Sequence, residues 1–347
     1  MLRKRKANYK LLSVGTGVVA GAAAISIATR ALARRRRYRL SGRGVFITGG
    51  SRGLGLLLAK EFARKGARVA ICARDAGELE RARWELLRSG HEVFTVVCDL
   101  GVSQDVDQAI ARVQQQLGSI EILVNNAGTI QVGPAEVMRP EDYQESLDTH
   151  FWGPLYTTMA VLPQMRKRRE GRIVNISSIG GKISVPHLLP YSVGKFALTG
   201  FSEGLRAEAA KDNIRVTTVC PGLMRTGSPR NAKFKGKHRA EYAWFSISAG
   251  FPLFSIGAER AARRIVAACE RGEAEVVLSI PAKLAVLLHG IFPGLTADAF
   301  ALGNLVMPSA EGGTSDSHLG EDSFSKLSPS LLTVLNERAA RRNNEVA

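Results

Sequence analysis

Tyr191 and Lys195 stand four residues apart in Tyr191-Ser192-Val193-Gly194-Lys195, at the opening of an apolar helical pattern. On a helix that spacing puts both side chains on one face. An ammonium beside a phenol favours the phenolate, which is expected to lower the Tyr191 pKa from about 10 toward working pH. Tyr191 can then pass a proton to or from a substrate oxygen. Ser178, upstream of it, is a candidate to hydrogen-bond the same oxygen and stabilise charge developing there. Singly, a tyrosine at a helix start is packing and a lysine is a solvated charge; their joint spacing is what points to catalysis.

A second group of residues suits phosphate. An apolar run, Val45 to Thr48, leads into Thr48-Gly49-Gly50-Ser51-Arg52-Gly53-Leu54-Gly55 and directly into an apolar helix. Glycines there let the backbone turn sharply and approach a pyrophosphate, whose charge is met by free N–H groups at the helix N-terminus. Alone, such a turn is equally a plain helix start. Further elements follow in order: Asn125-Asn126-Ala127-Gly128, then Ser178, then the Tyr191/Lys195 pair, then Pro221-Gly222.

With these motifs the chain resembles the short-chain dehydrogenase/reductase family, classical type, from about residue 41 to 280. The resemblance implies a nicotinamide dinucleotide held by Thr48, Gly49, Ser51, Arg52, Gly53, Leu54 and Gly55 in the turn. Asp99 would meet the adenine, and Asn126, Ala127 and Gly128 would form the loop beside the adenosine ribose. Tyr191 and Lys195 would reach the nicotinamide ribose, with Pro221, Gly222 and Thr226 toward the nicotinamide amide. One position departs from the family pattern: His150 stands where a catalytic-relay Asn is usual. An imidazole donates and accepts, so a water-linked relay is expected of it, a structural histidine or an impaired site being the alternative.

The end of the second strand, Ala70-Ile71-Cys72-Ala73-Arg74-Asp75, bears on cofactor choice. Ala73 occupies the place where the family's NAD enzymes carry an acid for the ribose 2′-OH. Arg74, with Arg52, offers cations to a 2′-phosphate, so NADP(H) is expected.

These residues need a scaffold. After Leu40, short apolar runs alternate with helical stretches, the signature of βα units. Strands are expected at Val45–Thr48, Arg68–Cys72, Val93–Cys98, Ile120–Asn125, Arg172–Ser177, Arg215–Cys220 and Glu275–Ser279. Helices are expected at Leu54–Lys65, Ala76–Arg88, Gln104–Leu117, about Pro140–Arg169, Tyr191–Lys211 and Ala258–Arg271. The fold class is α/β, a doubly wound Rossmann-type parallel sheet of about seven strands preceded by an N-terminal transmembrane helix.

The chain has 347 residues, 45% apolar, which excludes disorder and a disulfide-stapled miniature. Its net charge of +17 suggests a polyanion binder until it is located. Residues 1–44 hold 12 Lys/Arg and no acid, and Arg225–Arg239 hold six more. The first cluster flanks the uncharged run Leu11–Thr29, which as a helix would span roughly 28 Å at ~1.5 Å per residue, close to a bilayer core. An uncleaved single-pass anchor is expected over 1–40, a cleaved or organelle-targeting peptide and an interfacial or buried helix being the alternatives, with a cytoplasmic catalytic domain because the heavier basic cluster follows the span.

Four domains of organisation result: the anchor, the catalytic domain over 41–280 with a lid at about 227–250, an apolar extension over 281–310, and a polar tail over 311–347. The lid mixes Arg230, Lys233, Lys235, Lys237 and Arg239 with Phe234, Tyr242, Trp244 and Phe245, which suits a membrane interface or an acidic lipophilic substrate, or else a solvated face over core aromatics. No nucleic-acid recognition fold accompanies it. The extension, broken by Pro293 and glycines, is expected to cover the substrate cleft or rest on a bilayer surface rather than cross it. The tail is expected to be irregular from Glu311 to Ser330, with a short helix at Leu331–Arg342 and no part in function.

Cys72, Cys98, Cys220 and Cys269 are expected to be buried thiols, with no metal site. The function expected is an NADP(H)-dependent oxidoreductase interconverting a carbonyl and an alcohol on a lipophilic substrate, with a homodimer or homotetramer left open. The alternative is a catalytically idle nucleotide-binding membrane scaffold.

Overall fold

The computed structural model describes residues 37–330 and 333–346. The expected anchor span Leu11–Thr29 lies outside them. At the centre is a seven-stranded sheet, every pairing parallel, made of β1 (Gly44–Thr48), β2 (Arg68–Ala73), β3 (Val93–Val97), β4 (Ile122–Asn125), β6 (Gly171–Ile176), β7 (Ile214–Pro221) and β11 (Glu275–Leu278). The spatial order is β11-β7-β6-β4-β1-β2-β3. All seven expected strands are present.

Both faces are covered, and side chains alternate between them with the strand period of two. Val45, Ile47, Val69, Ile71, Ile122 and Val124 join one core, with Leu56, Leu58 and Phe62 of α1 (Gly53–Arg64) and Ile265 and Val266 of α9 (Ala258–Arg271). Phe46, Ala70, Cys72 and Leu123 join the other, with Val106 and Ile110 of α3 (Ser103–Leu117) and Val161, Leu162 and Met165 of α5 (Gly153–Arg168). The helix α2 (Ala76–Arg88) closes the first face. All four cysteines are free and buried.

The helix expected over about Pro140–Arg169 is present and widens within its length. It runs as α4 (Pro140–Leu147), a π turn at Asp148–Trp152, and α5. Pro154 supplies the reason: it has no N–H to give, and its ring crowds the carbonyl four residues back, that of His150. His150 therefore sits in the widened turn, buried.

Two smaller sheets lie in and around the segment 227–250 expected as a lid. β9 (Lys233–Gly236) lies between β5 (Gln131–Val132) and β12 (Thr314–Leu319), and β8 (Leu223–Arg225) pairs with β10 (Ser255–Gly257). The tail is thus not irregular: β12 is an antiparallel edge strand, and its mostly polar, solvent-facing residues carry no hydrophobic alternation to announce it. The short helix near its end is present as α12 (Val334–Arg342).

Three of the five cations named in this segment are paired, while Lys237 and Arg239 are exposed. Lys235 pairs with Asp142 at 2.7 Å in a buried bridge, Lys233 with Glu145 at 2.6 Å, and Arg230 with Glu337 at 3.2 Å. Phe234, Tyr242 and Phe245 are core, packed with Val132 and Ala232. The interleaving is a folded layer whose acidic partners come from distant segments.

The extension forms α10 (Ile280–Ile291) and α11 (Pro293–Asn304), bent by 120° between them. No single helix among the described residues is long and apolar enough to cross a membrane, although this bent pair passes by length and composition. Only Ala282 of the pair is buried. Ile280, Leu284, Leu287, Leu288, Leu295 and Leu302 are exposed, and the pair starts beside Gly222, which contacts Ala282.

Candidate active site

The loops after β1, β4, β6 and β7 meet at the carboxyl ends of the strands, where an open α/β sheet reverses direction and binds its ligands. The Gly49–Arg52 turn is built for close approach. A Cβ on Gly55 would stand 2.0 Å from the Gly49 carbonyl oxygen, and Gly53 holds φ +55°. Asn126 ties this turn to the β4 loop: its Nδ2 donates to the carbonyls of Thr48 and Gly49, both at 3.0 Å. The Thr48 hydroxyl in turn accepts from the backbone N–H groups of Asn126 and Ala127.

Ser51 and Arg52 are held by a residue the sequence did not single out. Glu78, in the first turn of α2, accepts from the Ser51 hydroxyl at 2.9 Å and pairs with Arg52 at 2.7 Å. Arg52 also donates to Asn231 of the lid. Arg74 is exposed at the end of β2, next to Ala73, and Asp99 is exposed at the end of β3 with Oδ1 accepting from Gly101 N–H. Thr226 is buried against Ser228 in the turn that leads into α7 (Ser228–Asn231). Gly222 packs against Ala282 and Ser279, where a Cβ would stand 3.0 and 3.1 Å from their side chains.

The four candidate catalytic residues converge. α6 (Leu189–Ala209) carries Tyr191 and Lys195, and Ser178, beyond β6, lies close enough to the Tyr191 hydroxyl to act against the rise in its pKa. Ser178 Oγ also accepts from Gly180 N–H at 3.0 Å. Lys195 Nζ lies 5.7 Å from the Tyr191 ring centroid and donates to the Ile176 carbonyl at 2.8 Å. The His150 ring meets the Tyr191 ring edge-on, centroids 5.3 Å apart.

Burial governs the titrations. It pushes Tyr191 up to about 12, against the lowering influence of Ser178, and pushes Lys195 down to about 7. The expected depression of the phenol by the ammonium is therefore not found: a lysine that burial makes easy to discharge is a weak cation beside it. Burial, then the neighbouring Lys195, holds His150 well below the ordinary imidazole range.

Both His150 nitrogens are engaged. Nδ1 faces Ser146 Oγ at 3.2 Å, and Nε2 accepts from Thr129 N–H at 3.3 Å. The ring also lies against Gly128, where a Cβ would stand 3.0 Å from Nε2. It props the β4 loop against the π turn. Ser146 and Thr129 were not singled out by sequence, since their part follows only from the π turn in which His150 sits.

A lid residue pins the rim. Glu241, on α8 (His238–Gly250), is fully buried and accepts from Trp244 Nε1 at 2.6 Å while lying 2.8 Å from His187 Nδ1. Finally, the segment Asn343–Glu345 packs at the glycine turn, which no local sequence pattern signalled.

The sequence profile described as short chain dehydrogenase matches residues 43–235. A dehydrogenase/reductase SDR family protein 7-like of Anopheles gambiae is 40% identical over 205 residues, 57% of this chain and 64% of that relative's length. Dehydrogenase/reductase SDR family member 7B of Bos taurus is 34% identical over 268 residues, 75% of this chain and 81% of that one. Among solved structures, a gluconate 5-dehydrogenase from Burkholderia cenocepacia J2315, in complex with NADP and tartrate, superposes with TM-score 0.62 at 26% identity, covering 72% of this chain and 98% of that chain.

Proposed function

Because the chain belongs to the short-chain dehydrogenase/reductase family, we propose that it is an NADP(H)-dependent oxidoreductase interconverting a carbonyl and an alcohol on a lipophilic small molecule. The observation that carries this reading is the convergence of Ser178, Tyr191 and Lys195 beside the glycine turn. A dinucleotide fits the residues present: glycines without room for a Cβ, and the N-terminus of α1 aimed at the turn. When bound, it supplies hydride chemistry at the nicotinamide.

The chain's own residues do the rest. Tyr191, whose pKa of about 12 keeps it protonated, acts as general acid toward a carbonyl oxygen, and Ser178 hydrogen-bonds that oxygen as charge develops. Lys195, fixed by the Ile176 carbonyl, holds the ribose and responds to charge at Tyr191. His150, with both nitrogens occupied, acts as a positioning residue for the Gly128–Thr129 loop rather than a relay. NADP(H) is favoured over NAD(H) by Ala73 in place of an acid and by Arg74, whose guanidinium stays exposed while Arg52 is drawn to Glu78.

A membrane setting is supported by the basic-flanked span Leu11–Thr29 and by the bent pair α10 and α11, whose leucines are exposed on both helices. We place the catalytic domain on the cytoplasmic side of a single-pass anchor. The deciding experiment is turnover of NADPH against a panel of carbonyls of rising chain length. Tyr191→Phe should lower turnover at least about 100-fold while leaving NADPH binding intact. Full activity in that variant, or binding with no turnover on any substrate by the intact protein, refutes the enzyme.

A further inference from the structure

Asn343–Glu345 lies across the glycine turn, in the space the first helix turn offers to phosphate. Gly53 N–H, at the N-terminus of α1, donates to the Asn343 carbonyl at 2.8 Å. Asn344 Nδ2 donates to the carbonyls of Ser51 and Glu78 at 2.8 and 3.1 Å, and Arg81 Nε donates to Asn344 Oδ1. Gly227 N–H donates to Glu345 Oε2 at 2.6 Å, and Glu345 Oε1 lies 3.0 Å from the point a Gly53 Cβ would occupy.

The contacts follow the logic of an anion site. A helix N-terminus offers N–H groups and positive potential; here the Asn343 carbonyl takes the Gly53 N–H, while the Glu345 carboxylate takes the Gly227 N–H. Glu345 is only 9% exposed and has no ion pair of its own among the described residues, since the nearby Arg52 is paired with Glu78. Burial pushes its pKa up to about 7, opposed by the Gly227 hydrogen bond and by Arg52. With one backbone N–H as its donor, the buried carboxylate is held at a cost that its displacement from the turn would relieve.

The segment is also tethered to the lid. Asn336 of α12 donates to the Ser246 carbonyl on α8, and Arg230 pairs with Glu337. Its local concentration at the turn is therefore that of a short linker, high against any free ligand.

We propose that Asn343–Glu345 is an internal competitor for the phosphate cradle, so that dinucleotide and segment exclude one another and cofactor entry displaces the segment from the turn. The proposal rests on reading Gly49–Gly55 as the dinucleotide site. Apparent cofactor affinity is then the intrinsic affinity multiplied by the fraction of molecules with the cradle clear.

The test is NADPH binding by fluorescence to the full chain, to Glu345→Ala, and to a chain ended after Arg342, with amide hydrogen exchange on the full chain. Both variants should bind at least about tenfold more tightly, and NADPH should speed exchange at residues 343–346. Should the shortened chain fail to fold, Glu345→Ala decides the affinity arm. Equal affinity in the folded forms, with exchange at 343–346 unmoved by NADPH, overturns the competitor and leaves the cradle standing. Failure of every folded form to bind NADPH or NADH removes the cradle itself, and the proposal with it.

Discussion

Ser146 fixes the protonation of His150. Its hydroxyl donates to the Pro190 carbonyl at 2.7 Å, so toward His150 Nδ1, 3.2 Å away, it can only accept. Nδ1 therefore carries the proton and Nε2 is free to accept from Thr129 N–H. Ser146→Ala should cost about 1–3 kcal/mol in denaturant unfolding, the price of a buried donor left unpaired. His150→Ala should lower turnover through the displaced loop, but far less than Tyr191→Phe. A loss equal to that of Tyr191→Phe would return His150 to the chemistry.

Lys195 makes stability depend on pH in a defined window. Its pKa falls from 10.5 in the unfolded chain to about 7 in the fold, so between these values the unfolded state binds more protons and stability rises with pH. Lys195→Met removes this titration. The variant should be more stable than the parent near pH 7 by a few kcal/mol, less about 1 kcal/mol for the lost bond to Ile176. The difference should shrink toward pH 10. Urea unfolding of both proteins across that range reads it; a constant difference would mean Lys195 is fully charged in the fold.

Arg74 is the exposed cation beside Ala73. Arg74→Asp should move preference from NADPH toward NADH by about 10- to 100-fold in kcat/KM, the worth of a charge-assisted contact removed and a ribose acceptor gained. An unmoved preference assigns the 2′-phosphate to another group.

Lys235 and Asp142 form a buried pair that joins β9 to α4. Removing one partner strands the other, so Lys235→Ala should cost about 3–5 kcal/mol. Vesicle flotation by the folded variant should be unchanged, because this cation faces inward. Leu284→Asp with Leu288→Asp, in a chain starting at residue 37, should by contrast abolish flotation without lowering the melting temperature.

Much of this fold was legible in sequence because a parallel sheet buried on both faces writes itself as β-branched runs, as in Val45–Thr48 and Ile122–Asn125. The Tyr191/Lys195 pair was legible because helix geometry alone places it. The helix over Pro140–Arg168 was legible as one apolar pattern, but its π turn at Asp148–Trp152 was not, because one extra residue in a turn leaves no mark on that pattern, and the partners of His150 were missed with it. Lys235 and Lys233 were read as part of a surface because their acids, Asp142 and Glu145, stand 93 and 88 positions away. The contacts of Glu345 likewise depend on chain reversal over the whole domain, a relationship no local window contains.

The strand β9 is sandwiched between segments from far apart in the chain: β5 at Gln131–Val132 before it and β12 at Thr314–Leu319 after it. Contacts of such separation are slow to form, because closing a long loop costs entropy before any contact repays it. During synthesis the seven-stranded core can settle once residue 278 has emerged, but the rim over it cannot. The floor of the site is then made early and its wall late, and a ribosome-bound chain holds a finished sheet under an unfinished roof.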